Sequence, residues 1–370
     1  MAIALHERYL ALRDRLTASP DFRRWAGRFP LTRWIARRHA RALFDLNAGF
    51  VYSQVLQSCV RLGVFERLRQ GPLPVPLIAA RIGLDLDATW VLLRAARSLK
   101  LLELRPNSEF GLGALGAALL DNAAVIGMVR HHALFYRDLD DPLALLRGAK
   151  GAGLARYWSY AGSVPGACGP GADSVVDYSA LMSESQALVA DQILDAYPFQ
   201  RHTVLLDIGG GEGGFVRAAL QRHPSLQGWV FDLPAVAERA QARLAGQFPD
   251  MRWRTLGGDF RSDPLPGGAD LITLVRVAHD HDDGQVRALL LSIRRALRPG
   301  GRLLLAEPLA CTPGAEPMGE AYFGLYFLAM GSGRPRSFAE YAGFLRAAGF
   351  RVVRQRHTAI PLQTSLIEAF

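Results

Sequence analysis

Apolar positions recur at helical spacing from Phe44 to Leu68, and Gly71-Pro72 then breaks the run. The same period returns over Leu77 to Arg81 and Ala88 to Leu99. In the string LLELRPNSEFGLG, two short strand-like runs flank Pro106, Asn107 and Ser108, which predicts a hairpin. Helices followed by a hairpin predict a winged-helix module over Phe44 to Leu120. A stretch rich in Gly, Pro and Ala from Lys150 to Gly171 predicts a long loop. Asp177 to Tyr197 then resumes helical spacing until Pro198 stops it.

Past Pro198 the texture changes to short apolar strands alternating with helices, the pattern of a parallel α/β sheet. A domain boundary near Phe199 follows, with a mainly helical unit over residues 1–198 and an α/β unit over 199–370. With 370 residues, half of them hydrophobic and 21% charged, the chain has material for two folded domains and no disorder signature.

No run approaches the roughly 18 uncharged apolar residues a spanning helix needs, and no apolar signal core opens the chain, so the expected location is cytoplasmic. Cys59, Cys168 and Cys311 lie far apart and outside zinc-ligand spacing, which fits unpaired thiols in a reducing compartment. The formal charge of +9 is concentrated at one end. Residues 1–41 carry ten arginines against Glu7, Asp14 and Asp21, interleaved with Phe22, Trp25, Phe29, Trp34 and Ile35. Such a segment fits an amphipathic helix in peripheral contact with an anionic membrane surface, and equally an arm packed on a partner subunit with its arginines solvated. Nucleic acid is a poorer fit. The candidate recognition helix, Asp87 to Lys100, presents mainly Trp90, Val91, Leu92, Leu93 and Leu99 beside Arg94, Arg97 and Lys100, so a subunit interface is the expected role rather than a DNA-binding ligand sensor.

Candidate chemistry begins where Val204 to Ile208 opens directly into Gly209-Gly210-Gly211-Glu212-Gly213-Gly214, ahead of a helix near Phe215. A glycine-rich turn between strand and helix lets backbone amides approach a nucleotide-like ligand. Gly209, Gly211 and Gly214 also satisfy the dinucleotide pattern, so the turn alone leaves the cofactor open. The strand Trp229 to Phe231 ends at Asp232, placed to accept from both ribose hydroxyls, and this fits either cofactor. Further on, Asp259 can accept from an adenine amino group while Phe260 covers the ring face. A turn at Pro299-Gly300-Gly301 before an apolar strand is similar to what many methyltransferases show after their fourth helix, and no second nucleotide-binding half is visible.

Taken in order, LLDIGGGEGG, VFDLP, GGDF, HDHDD and LRPGGRLLLAE resemble the small-molecule S-adenosylmethionine-dependent O-methyltransferases over nearly the whole chain. The resemblance implies a Rossmann-like sheet of seven strands, mostly parallel, closed by Val352 to Arg356 and Ser365 to Phe370. It also implies a homodimer built on the helical module. S-adenosylmethionine would be held by Gly209, Gly211, Asp232, Leu233, Asp259, Phe260 and Arg276. FDLNAGFVYSQVL, MVRHHALFYRDLDDPLALLRG, YSALMSESQALVA and AMGSGRPRS are similar to the hydroxyneurosporene and demethylspheroidene O-methyltransferases of carotenoid synthesis, which implies an acyclic carotenoid bearing a tertiary 1-hydroxyl as acceptor. The same cofactor with an aromatic polyketide, a phenol or a chlorophyll precursor is the alternative, and a relative turned to decarboxylation or hydroxylation is a further one.

The family's general base falls on His279, and its supporting acid, 28 residues later, on Glu307. A carboxylate against the second ring nitrogen fixes the tautomer and stabilises the imidazolium. Because an aliphatic alcohol is a weak acid, His279 is expected to take the proton late, as the oxygen–carbon bond forms. The chain departs from the family at two places: Pro335 replaces a glutamate before Arg336-Ser337, and Val275 stands where a cation is usual, with Arg276 next along. His281 reads as structural. The run His279 to Asp283 holds metal-ligand types, but neighbouring residues rarely converge on one ion and the resemblance implies none, so no metal is expected. Phe135, Tyr136, Met182 and Met330 are candidates for an apolar acceptor wall, although packing explains them as well.

Overall fold

The computed structural model describes residues 2–148, 153–157, 189–248, 252–361 and 364–370. Met182, Cys168, most of the Gly-rich stretch and most of YSALMSESQALVA lie outside the described residues. The chain forms two compact units, residues 1–120 and 121–370.

The first unit opens with three helices, α1 (Ala2–Ala18), α2 (Pro20–Arg28) and α3 (Arg33–Arg61). Ser19 separates α1 from α2 by accepting from the Phe22 amide at 3.4 Å, with Pro20 in the first turn where its missing N–H costs nothing. After α3 come α4 (Val64–Arg67), β1 (Leu73–Pro74), α5 (Val75–Ile82) and α6 (Leu86–Ser98), the last capped by Asp85 accepting from Ala88 at 2.7 Å. The hairpin expected from LLELRPNSEFGLG forms as β2 (Leu102–Leu104) and β3 (Glu109–Leu112), in a three-stranded antiparallel sheet of order β1-β3-β2. Leu93 and Ala96 of α6 are fully buried, and Trp90 sets its ring edge-on to Phe110 at 5.8 Å with the Arg94 guanidinium over its face. These contacts hold most of the apolar side of the suspected recognition helix inside the unit, while Val91 stays exposed.

The second unit begins with α8 (Ala123–Asp138), after the short α7 (Ala114–Ala117) that closes the first. Its sheet has seven strands among the described residues: β4 (Val204–Ile208), β5 (Gln227–Asp232), β6 (Trp253–Gly257), β7 (Leu271–Val275), β8 (Arg302–Glu307), β9 (Val353–Arg356) and β10 (Ser365–Ala369). Their order is β6-β5-β4-β7-β8-β10-β9, with β10 antiparallel to both neighbours and the β4 to β8 pairs parallel. Central strands are buried on both faces, which is why they read as unbroken apolar runs. Leu206, Ile208, Ile272 and Leu274 face the layer holding Val286, Leu289, Ile293 and Leu345. Leu205, Leu271 and Val275 face Phe215, Val216, Ala219 and Ile193 on the other side.

The units divide at Leu120 and Asp121, earlier than the boundary near Phe199 read from the sequence. The texture change at Pro198 marks where the sheet begins. The compact unit starts earlier because α8 buries Phe135 against Tyr326 and Phe327 of the helix Phe323–Met330. No described helix is long and apolar enough to cross a membrane.

Candidate active site

In an open parallel sheet, ligands bind beyond the carboxyl ends of the strands, where strand order reverses. Here β4 is that strand, with β5 on one side and β7 on the other. Gly209 follows β4 with φ +66°, and a side chain there would meet Val277 at 2.8 Å, so only glycine lets the turn approach the loop after β7. Gly211, also left-handed at φ +59°, aims its amide at Asp232, donating to Oδ2 at 2.7 Å. Leu233 donates its amide to Oδ1 of the same carboxylate at 2.7 Å. Glycine turn, Asp232 and Leu233 thus form one contiguous lip.

That lip fits the expected cofactor on a second ground. Beneath it Asp207 accepts from the Thr273 hydroxyl at 2.6 Å through Oδ1, while its buried Oδ2 has no hydrogen-bond partner among the described residues. Burial pushes the Asp207 carboxyl up to about 7, the Thr273 bond opposes this, and the nearby Asp232 adds to it. A cationic ligand at the turn would supply the positive charge that Asp207 lacks, while Asp232 already has Arg239 nearby.

The two residues assigned to adenine sit just past β6. Asp259 is held by Arg261, whose Nε donates at 2.9 and 3.0 Å and whose second nitrogen lies 2.7 Å away, and this pairing keeps the carboxyl below its ordinary range. Phe260 meets the His281 ring edge-on at 5.1 Å. Arg276, directly after β7, takes a left-handed φ of +57°, donates its amide to Ala306 at 2.9 Å, and lies within electrostatic reach of Tyr322.

His279 lies in a single helical turn after β7, buried at 5% exposure. Its Nδ1 faces Glu307 Oε2 at the end of β8. The other Glu307 oxygen accepts from the Val277 and Ala278 amides at 3.1 and 2.8 Å, which fixes the carboxylate. The far ring nitrogen, Nε2, is 3.1 Å from Asp280 Oδ1, a neighbour that sequence reasoning gave no role. Burial alone would lower the affinity of this ring for a proton, but the Glu307 and Asp280 charges outweigh it and push His279 up to about 9. The side chain therefore rests as an imidazolium between two carboxylates at neutral pH.

A second loop grips the first. Arg336 is fully buried and donates to the Ala278 carbonyl at 2.9 Å, the His281 carbonyl at 2.6 Å and Asp283 at 2.9 Å. Ser332 donates to the Asp280 carbonyl at 2.7 Å, and the Arg334 amide to the His279 carbonyl at 3.0 Å. The string AMGSGRPRS thus encodes the tether of the histidine loop.

Against His279 packs a wall of aromatic side chains, buried at Phe327, Tyr326 and Phe135 and half-buried at Phe323 and Tyr322. Phe327 and Phe323 stand 5.1 and 6.2 Å from the imidazole, centroid to centroid, and stack on each other at 5.5 Å. Tyr322 and Tyr326 continue the surface to Phe135, 6.0 and 5.3 Å away. His131 and His132 of α8 pair through Nε2 with the hydroxyls of Tyr326 and Tyr322, both at 2.7 Å. Burial lowers both histidines, His131 to about 4 with His132 adding to the effect, so the wall carries no histidine charge at neutral pH. Met330 is buried in the same cluster as Phe135, and Tyr136 sets its ring edge-on to His132 at 6.4 Å.

Two family models match the chain, an O-methyltransferase domain over residues 136–351 and an O-methyltransferase dimerisation domain over 44–122. The demethylspheroidene O-methyltransferase of Cereibacter sphaeroides is 43% identical over 342 residues, covering 92% of this chain and 89% of the relative. The protein of the same name from Rhodobacter capsulatus is 40% identical over 349 residues, covering 92% and 85%. Among solved structures, human N-acetylserotonin methyltransferase in complex with S-adenosylmethionine superposes with a TM-score of 0.74 at 27% identity, covering 90% of this chain and 97% of that one.

Proposed function

The chain belongs to the O-methyltransferase family, and from that premise we propose that its acceptor is the tertiary 1-hydroxyl of an acyclic carotenoid, of the demethylspheroidene or hydroxyneurosporene type. It is an S-adenosylmethionine-dependent O-methyltransferase. The cofactor, when bound, supplies an electrophilic methyl group carried on a sulfonium. Gly209, Gly211, Asp232 and Leu233 would hold it, with Asp259, Phe260 and Arg276 toward its adenine.

In O-methylation the acceptor oxygen gains a methyl and loses a proton, so the chain has one proton to manage. His279 is the proposed acceptor of that proton and Glu307 its positioning partner. The two carboxylates make the neutral ring a stronger base than ordinary histidine, which suits a weakly acidic alcohol. They also keep it protonated at neutral pH, so turnover requires the ring to release its resting proton first.

The observation that carries the choice of acceptor is the wall running from His279 through Phe327, Phe323, Tyr322 and Tyr326 to Phe135. Stacked rings with their polar atoms paired to histidines suit a long unsaturated hydrocarbon that carries its one hydroxyl at the end nearest His279. The two demethylspheroidene O-methyltransferases support the same acceptor. The enzyme acts as a homodimer through the module over 44–122. Mass spectrometry after parallel incubation with an acyclic 1-hydroxycarotenoid, a phenol and an aromatic polyketide tests the assignment. Methylation of the carotenoid at a kcat/KM at least about tenfold above the others is expected. Methylation of the phenol or polyketide alone overturns it.

A further inference from the structure

Residues 2–43 precede everything the two family models match, and neither the cofactor lip nor the histidine loop draws on them. On α1, the exposed large apolar residues are Leu5, Tyr9, Leu12 and Leu16. At 3.6 residues per turn these four fall within an arc of about 60°. Arg8 borders that arc on one side with Arg15, and Arg13 borders it on the other, while Glu7 and Asp14 point away on the opposite face. Arg13 reaches Asp14 at 2.6 Å. The stripe is edged by arginines and its acids are turned away, although half-buried Leu10 lies off it; arginine stems beside exposed apolar side chains suit a lipid headgroup layer.

The next elements repeat the composition. Trp25 and Phe29 stack at 5.0 Å and stay 51% and 39% exposed, lining an open cleft with Asp21, Arg24, Arg28 and Pro30, in which Asp21 pairs with Arg24. Trp34 and Ile35 are exposed at the start of α3, among Arg33, Arg37, Arg38 and Arg41.

We infer that α1, α2 and the first turns of α3 form a docking surface for an anionic lipid bilayer. Charge decides between this occupant and a second copy of the chain. Ten arginines against three acids give the arm seven of the nine net positive charges, and the remaining 329 residues carry a net charge of only +2. Two arms facing each other would repel. An anionic bilayer supplies both the missing negative charge and an apolar layer for Leu5, Tyr9, Leu12, Leu16 and Trp25. The inference stands on the arm alone and does not depend on the acceptor.

The test is sedimentation of the full chain with vesicles of phosphatidylglycerol and phosphatidylcholine, against vesicles of phosphatidylcholine alone. Two variants at exposed positions accompany it: Leu12→Glu with Trp25→Glu, and Arg8→Glu with Arg15→Glu. Melting curves and light scattering check fold and oligomeric state. The expected result is binding to the anionic vesicles only, released by high salt, and weakened at least about tenfold in each variant, with methylation of a water-soluble acceptor unchanged. The inference is overturned if the wild type stays in the supernatant at low salt, binds neutral vesicles equally well, or is matched by both variants. It is equally overturned if either variant splits the dimer, which would make the arm a subunit contact.

Discussion

His279 sits in a conflict of forces that its position in the sequence does not reveal. The fold strips water from the ring, which disfavours charge, and then places Glu307 and Asp280 on its two nitrogens, which favours charge more strongly. The folded value of about 9 lies above the ordinary 6.5, so the clamp stabilises the fold most at pH below about 6.5 and loses that contribution as pH rises through about 9. Activity runs the opposite way, since only the neutral ring accepts a proton: turnover should rise toward alkaline pH with a midpoint near 9. Glu307→Gln removes one of the two charges and should move that midpoint down by about 1 to 3 units while lowering the maximum rate. A profile that does not move would show that the charge of Glu307 does not govern the ring. Glu307 was legible because its spacing from His279 matched a family pattern. Asp280 was not, because adjacency in sequence says nothing about which ring nitrogen a neighbour reaches.

At the scale of elements, the glycine turn, the strand–Asp232 edge and the hairpin over residues 102–112 were readable, since each is local: a left-handed φ favours glycine, a buried strand needs apolar residues, a tight turn favours Pro and Asn. Long-range partners were not. Arg336 follows Pro335, where the family pattern has a glutamate, and its role as tether of the histidine loop depends on a loop and a strand end more than 50 residues apart meeting. Removing this fully buried guanidinium takes its donors from the Ala278 and His281 carbonyls and leaves Asp283 to Arg334 alone. Arg336→Ala should therefore cost about 2 to 4 kcal/mol in denaturant unfolding, through the lost charge-assisted hydrogen bonds to buried carbonyls, and lower kcat by loosening the loop. A variant as stable as the wild type would contradict the tether. The aromatic wall was partly readable: Phe135 and Met330 were picked out by composition, but the sequence also shows Tyr322, Phe323, Tyr326 and Phe327 at helical spacing, a repeat that identifies one face of a helix.

Over the whole molecule, the chain combines an α/β unit whose strand ends gather glycine turn, acids and histidine, and a helical unit whose first 43 residues lie outside the family's matched span. The boundary between units was the least legible large feature, because α8 reads as one more N-terminal helix until its buried face is seen to belong with Tyr326 and Phe327. The account rests on proton management at His279, and single-turnover transfer of a labelled methyl group from S-adenosylmethionine to an acyclic 1-hydroxycarotenoid, compared between the wild type and His279→Ala, measures it directly. The expected result is label in a methyl ether of the carotenoid, with the rate reduced roughly a hundredfold or more in the variant and cofactor affinity unchanged. Transfer at the wild-type rate without the imidazole would contradict the account.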